Sequence, residues 1–301
     1  MTPPNANQIE LFFGDANPTE ARIYAQLRGE QPDERFALGG KIHGPFCEYA
    51  RTLPAEVSLS TQPRGDDGML ASAVLPDPCF WTPHAPYCYR VQVQIRQDTQ
   101  VVAEQERLLG IRAMGTRGRD LMLAGKRWVL RGAFREAARS GDVAAWHEAG
   151  AALWQRLPDD DLCEEASRLG VLIVAGLADV AEGSLAAELQ RLARWPAVAF
   201  AALPSCCDEE RIAGARPRNL LLAEVVEPCA HESPVVPKPW ADALICRDKP
   251  ENVARRTANC GLPVLAYDPR AEDKAIQDAR SACDALQRDL APVGEFAGYI
   301  V

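Results

Sequence analysis

No apolar stretch in this 301-residue sequence reaches the roughly 18 residues that a membrane-crossing helix needs, so no membrane helix is expected. No long basic run occurs either. Lys and Arg number 33 against 42 Asp and Glu, for a net charge of −9. A large nucleic-acid footprint is therefore excluded, because phosphate neutralisation needs clustered cations. The opening residues, Met1 to Glu10, have no basic segment followed by an apolar one, so they do not read as a Sec leader. Ten cysteines are present but no CxxC pair, which argues against a zinc ribbon or a thioredoxin-like site. Of the four histidines, His43, His84 and His147 fall in no cluster. No cofactor is expected. The free thiols and the missing leader point to the cytoplasm. The rest of the composition, 47% hydrophobic and 25% charged, is that of an ordinary globular chain, long enough to bury a core without disulfides.

The pattern changes near residue 115. Before it, short alternating runs read as strands: Ala21–Leu27, Val57–Ser60 and Met69–Val74. Cys88–Ile95 has Tyr89, Val91, Val93 and Ile95 alternating with Arg90, Gln92 and Gln94, and Gln100–Leu109 reads as its hairpin partner. A small β-sandwich over residues 1–115 fits this count. Beyond it, apolar strands alternate with helices over residues 116–301. Strand candidates begin near 127, 152, 171, 197, 220, 243, 262 and 296. Helical spacing marks Asp142–Ala149, Asp160–Leu169, Ser184–Leu192 and a long last helix from Ala275 to Leu290. Apolar strands that hide both faces imply a covered parallel sheet. Eight of them predict a closed (β/α)8 barrel, shortened because about 175 residues must do what roughly 250 usually do. A doubly wound open sheet is the structural alternative. The alanine-rich stripe of the last helix (Ala275, Ile276, Ala279, Ala282, Cys283, Leu286, Leu290) predicts close packing on the sheet.

Three segments around this change of pattern resemble a known family. Leu75–Tyr89, with Pro76, Pro78, Trp81, Pro86, Tyr87 and Tyr89, resembles the "ipdPxLWxPxxPxLY" stretch of the β-galactosidase and β-glucuronidase family of glycoside hydrolases. Gly110-Ile111-Arg112 resembles that family's "fGiR". Leu121–Gly132 resembles "fxlNGkpvxLRG", which enters the first barrel strand. Order and spacing agree as well. The resemblance implies an immunoglobulin-like β-sandwich followed by a TIM-like barrel, a multidomain β plus α/β chain. The 301 residues leave no room for the jelly-roll domain that such enzymes carry ahead of it. Trp81, as its motif implies, belongs to the apolar junction beneath the barrel.

The resemblance also implies where chemistry sits. Retaining glycosidases need two carboxylates about 5 Å apart, one protonated acid and one nucleophile. The family's acid/base motif "WSLGNE" aligns with Ala201–Cys206, so the glutamate position falls on Cys206 and the asparagine position on Ser205. A thiol is a poor acid for a glycosidic oxygen. The nucleophile position falls on Asp268, whose shorter stem draws the attacking oxygen back by about 1.5 Å. A turn or capping role before Pro269 is the structural alternative for Asp268. The first-strand motif is Phe134-Arg135-Glu136 and keeps only Arg135. The second-strand arginine position falls on Gln155, with Arg156 beside it, and the third strand ends in Ala175-Gly176.

Three classes of function follow. The leading one is a degenerate glycoside-hydrolase-like protein without family-type hydrolysis that binds a carbohydrate or a protein partner, or serves as structure. Arg135, Trp154, Arg156 and Tyr267 are its candidate ligand-binding residues, with Trp195 and Trp240 as further aromatics. The second is an active glycoside hydrolase with displaced carboxylates, Asp268 and Glu224 first, then Asp208, Glu209, Glu210 and Glu227. Glu224 stands out because it interrupts an apolar strand, where an unpaired buried carboxylate is expensive. The third is a metal or thiol site from Cys206, Cys207, Cys229, His231 and Cys246, all following barrel strands. Against it stand core thiols and an exposed histidine.

Overall fold

The computed structural model describes residues 8–28, 33, 35–63, 68–228, 233–248, 250–269 and 275–301. The chain divides into two units, Met1–Ile111 and Arg112–Val301.

The first unit holds seven antiparallel strands: β1 (Ile9–Ala16), β2 (Glu20–Leu27), β3 (Phe36–Phe46), β4 (Ala55–Thr61), β5 (Leu70–Pro76), β6 (Cys88–Gln97) and β7 (Gln100–Leu109). Their order is β1-β2-β5-β4-β3-β6-β7. The β1-β2-β5-β4 and β3-β6-β7 halves have the strand order of an immunoglobulin-like sandwich. Strand β4 joins them, with five register pairs to β3 and two to β5. The core takes alternate residues from the central strands, among them Ile23 and Ala25, Leu38 and Ile42, Ala71 and Ala73, and Val91, Val93 and Ile95. This alternation made β6 and β7 legible. Strand β3 escaped because Gly39, Gly40, Gly44 and Pro45 dilute its apolar period. At the start of β6, the Tyr89 hydroxyl accepts the Cys79 N–H at 2.8 Å, the corner bond of this sandwich type. Trp81 is buried and donates its N–H to Ile111 O.

The second unit opens with a three-stranded antiparallel sheet, β8 (Met114–Arg117), β9 (Asp120–Leu123) and β10 (Lys126–Trp128). Eight parallel strands then close a barrel in sequence order. They are β11 (Leu130–Arg135), β12 (Ala152–Arg156), β13 (Ile173–Gly176), β14 (Val198–Pro204), β15 (Leu221–Val226), β16 (Ala243–Arg247), β17 (Val264–Tyr267) and β18 (Gly298–Ile300). Closure excludes the doubly wound alternative. The first barrel strand starts later than the Arg127–Leu130 run predicts. Lys126–Trp128 instead pairs back on β9 across a tight turn in which Ala124 and Gly125 both have positive φ. Arg127 is half-exposed and bonded to Asp120 and Glu295, which a strand buried on both faces does not tolerate.

Helices cover the ring unevenly: α1 (Val143–Ala149), α2 (Asp160–Leu169), α3 (Leu185–Leu192), α4 (Glu209–Ala215), α5 (Pro250–Arg256) and α6 (Ala279–Leu290). Between β15 and β16 the described residues contain no helix. The shortening thus falls between β14 and β17, whereas α6 ahead of β18 is the longest of the six helices. Most of the predicted Ala-rich stripe lies on α6, where Ala279, Ala282, Cys283, Leu286 and Leu290 are buried, whereas Ala275 and Ile276 precede the helix and Ala275 is exposed. Its small side chains bring the helix near enough for the Cys283 thiol to donate to Gly132 O at 3.1 Å. Among the described residues no helix is long and apolar enough to cross a membrane.

Register alternation fixes which side chains enter the barrel. Paired residues of a parallel ladder share a face, and successive residues alternate. Trp154 on β12 and Tyr267 on β17 are in ring contact although β18 and β11 lie between their strands, so they meet through the interior. The registers then turn Leu130, Gly132 and Phe134 inward, and likewise Leu265, Tyr267, Gly298 and Ile300. Two of these positions are glycine because bulk stands opposite. A Cβ on Gly298 lies 2.5 Å from Leu265 Cδ2 and 2.9 Å from Leu130 Cβ, and one on Gly132 lies 2.9 Å from Ala152 O.

Arg112 secures the other end of the ring. Its buried guanidinium donates to Pro196 O at 2.8 Å, to Val198 O at 2.6 Å and to Asn219 O, around the starts of β14 and β15. Burial lowers its pKa to about 10. Three carbonyls compensate the lost hydration of the charge.

Gly298→Ala is expected to destabilise the chain by about 1–3 kcal/mol through overpacking. Gly141→Ala, where the new methyl meets open space, serves as control. Urea unfolding of the two variants decides: equal midpoints would show that the interior at Gly298 yields.

Candidate functional site

Three rings close the interior near the C-terminal ends of the strands. Phe134 and Trp154 meet edge to face at 5.4 Å, Trp154 and Tyr267 at 4.9 Å, and Phe134 and Tyr267 lie 6.4 Å apart. Trp154 and Tyr267 are buried. Gly176, inward on β13, gives the indole its place: a Cβ there stands 3.1 Å from Trp154 Nε1. That indole nitrogen is buried and has no hydrogen-bond acceptor. Two arginines cap the cluster. Arg156 lies 5.7 Å over the Phe134 ring and Arg247 5.4 Å over the Tyr267 ring. Stacking of this kind contributes about 0.5–1 kcal/mol where solvent reaches it. Arg156 and Arg247 are the charged residues among the inward strand positions, and none of those positions carries a carboxylate.

The structure therefore brings Trp154, Arg156 and Tyr267 of the predicted ligand set together. Arg135 faces the other way. Alternation turns it outward, where its guanidinium lies 5.5 Å over the Trp146 ring of α1 and donates to Phe134 O. Its neighbour across the ladder, Gln155, is also outward and accepts the Ala138 N–H at 2.9 Å, holding the segment after β11. Sequence reasoning missed Phe134 and Arg247. Both were legible in principle, Phe134 from its place two residues after Gly132, and Arg247 as the single charge at the end of an apolar strand.

The carboxylates take other posts. Glu224 does lie in the fifth barrel strand and is 3% exposed. Its register partners are Leu203 and Leu244, both outward, so it points away from the interior. There its Oε2 accepts the Lys238 N–H at 2.9 Å, which fixes the segment ahead of β16. Asp268 follows Tyr267 directly, half-buried, and its N–H continues the ladder to Ile300 O at 2.9 Å. Alternation that sends Tyr267 inward does not bring Asp268 and Glu224 together inside the ring. Asp208 caps α4 by accepting the Glu210 N–H, and Glu209 and Glu210 are exposed in that helix's first turn. Glu227 lies 3.5 Å from Arg247. Trp195 bonds Asp160 through its indole nitrogen, and Trp240 is buried ahead of β16.

The thiols diverge in the same way. Cys206 is exposed after β14, and Ser205 beside it donates to Val225 O. Cys246 is outward and buried, and burial pushes its thiol to about 12. Cys229 and His231 lie outside the described residues. Among the described residues no group of three or more His, Cys, Asp or Glu is placed to hold a metal ion.

No family model matches this sequence, and no curated protein does. Solved structures do match. A β-glucuronidase from Bacteroides uniformis aligns with a TM-score of 0.61 at 14% identity, over 98% of this chain and 45% of that one. A Bifidobacterium dentium β-glucuronidase complexed with coumarin-3-O-glucuronide aligns with a TM-score of 0.65 at 14% identity, over 97% and 59%. A Bacteroides vulgatus β-glycosidase gives 0.62 at 11%, over 87% and 38%. The chain spans about half the length of such structures, and what it shares with them is the fold.

The buried thiols set a pH limit. Burial raises Cys88, Cys163 and Cys246 to about 12 and Cys283 to about 11, from an ordinary 9.0. Above pH 9 the unfolded chain loses these protons while the folded chain keeps them. Stability is thus full below about pH 9 and falls as pH rises toward 11–12, by up to roughly 1.4 kcal/mol per thiol per pH unit. Melting followed from pH 7.5 to 10.5 is expected to show that fall, steeper than in a Cys163→Ala/Cys246→Ala variant. Maleimide labelling followed by peptide mapping is expected to mark Cys206 first and the four buried thiols only after unfolding.

Proposed function

We propose that this chain is a glycoside-hydrolase-like protein that performs no retaining hydrolysis and holds a saccharide at the C-terminal mouth of its barrel. One observation carries the reading: the inward strand positions hold two arginines and no carboxylate, whereas retaining hydrolysis needs an acid and a nucleophile near one bond. The exposed Cys206 at the acid's place supports it, because a thiol does not supply the proton. The outward Glu224, engaged with Lys238 N–H, supports it too. Phe134, the part-exposed ring of the three, offers aromatic surface of the kind sugars stack on, with Trp154 and Tyr267 packed against it. The nine described cysteines are all unbridged, which fits a reducing, cytoplasmic compartment as part of the proposal. The competing reading is a hydrolase in which Asp268 attacks and Glu224 donates.

The deciding assay uses aryl β-galactoside, β-glucuronide, β-mannoside and β-glucoside on the full chain. Loss of the general acid costs about 10²–10⁴ in rate, least on such activated leaving groups, so they are the most sensitive probes. No turnover above background is expected. Turnover that Asp268→Asn or Glu224→Gln abolishes would establish the hydrolase instead. A glycan screen on the same preparation is expected to return a ligand whose binding Trp154→Ala weakens.

A further inference from the structure

The interior of this barrel has the opposite charge to one that hydrolyses with two carboxylates. Arg156 ends β12 and Arg247 ends β16, four strands apart in a ring of eight, so they approach the mouth from opposite sides. Each guanidinium lies over a ring of the central cluster, at 5.7 Å on Phe134 and 5.4 Å on Tyr267. Stacking fixes the plane of the fork and lowers the cost of ordering it on a ligand. Their ion-pair partners are loosely engaged. Asp179 lies 3.6 Å from Arg156 and Glu227 3.5 Å from Arg247, and these two carboxylates are 60% and 62% exposed. A charge-assisted bond is about 2.7–2.9 Å long, and exposed pairs at longer range contribute little. A bidentate oxyanion pairs with a guanidinium fork at shorter range than either of these partners does. The remaining inward residues at this level, Gly176, Pro204, Val225 and Ile300, carry no charge and lower the local dielectric.

We infer that the barrel mouth takes a small ligand bearing an oxyanion, a carboxylate or a phosphate, with Arg156 and Arg247 as its charge partners and the Phe134 ring as its floor. The inference rests on the proposed binding role of the mouth and names the chemical class of the ligand. It uses no metal and no covalent step.

Titration calorimetry on the full chain tests it with three probes: inorganic phosphate, galacturonate and galactose. One of the two anions is expected to saturate a single site while galactose gives no heat, and the anion that binds identifies the chemistry. Arg156→Gln and Arg247→Gln are each expected to weaken that binding by about tenfold or more, and the double variant to abolish it. Arg156→Lys and Arg247→Lys, which keep the charge and lose the fork, are expected to fall between. Melting temperatures within about 2 °C of the parent chain are the expected control that these part-exposed sites leave the fold intact. Binding unchanged in the double variant, or no anion saturating below about 10 mM, a free energy weaker than about 3 kcal/mol, overturns the inference. So does saturation by galactose with both anions silent, an outcome that leaves saccharide binding standing. Aryl glycoside turnover alongside intact anion binding overturns only the non-hydrolytic reading.

Discussion

The second unit depends on filling a ring of short strands from within. Eight strands of three to seven residues enclose little volume, and a closed parallel barrel is stable only when its interior is packed. Here small and large residues interlock: Gly298 yields to Leu130 and Leu265, Gly132 to Ala152, and Gly176 to Trp154. The rings of Phe134, Trp154 and Tyr267 then close the top of the column. The top of the interior is thus lined by aromatic carbon.

The same alternation sends the polar side chains outward, where they hold the covering layer. Arg131 bonds Asp284 and Gln287 of α6, Gln155 holds the residues before α1, and Glu224 holds those before β16. The Cys283 thiol reaches strand carbonyls from α6. In a shortened barrel such bonds matter more, because between β14 and β17 the described residues supply only the short α4 and α5 to cover the outer face. Arg112 does comparable work at the opposite end, spreading one charge over three carbonyls. In the sequence this arginine carries part of the family resemblance, and its bonds supply a structural reason that needs no catalysis.

Charge is distributed accordingly. The chain is acidic overall, yet the inward face of the barrel is cationic and its carboxylates lie on loops, helix caps and the outer face. A fold shared with β-glucuronidases and β-glycosidases thus carries two arginines over aromatic rings at the inward ends of its strands. Function follows the site rather than the fold.

By itself the sequence determined the succession of barrel strands from the second to the eighth, the helices α1, α2 and α3, the alternation of β6, most of the stripe of α6 and the absence of a carboxylic acid at the end of the fourth barrel strand. Each is a local property: side-chain period, an apolar run, or the chemistry of one residue. It misplaced the first barrel strand because pairing with β9 competes for Lys126–Trp128, and it missed β3 because glycines dilute the period. What only the tertiary structure decided is direction. Arg156 lies one residue beyond Gln155, the register partner of Arg135, yet Arg135 faces α1 and Arg156 the mouth. Glu224 is buried in either phase, and only closure of the ring, with Trp154 meeting Tyr267 across it, shows that it points outward. A one-residue change of phase exchanges the two faces of a strand, and local sequence does not fix that phase when both faces are apolar.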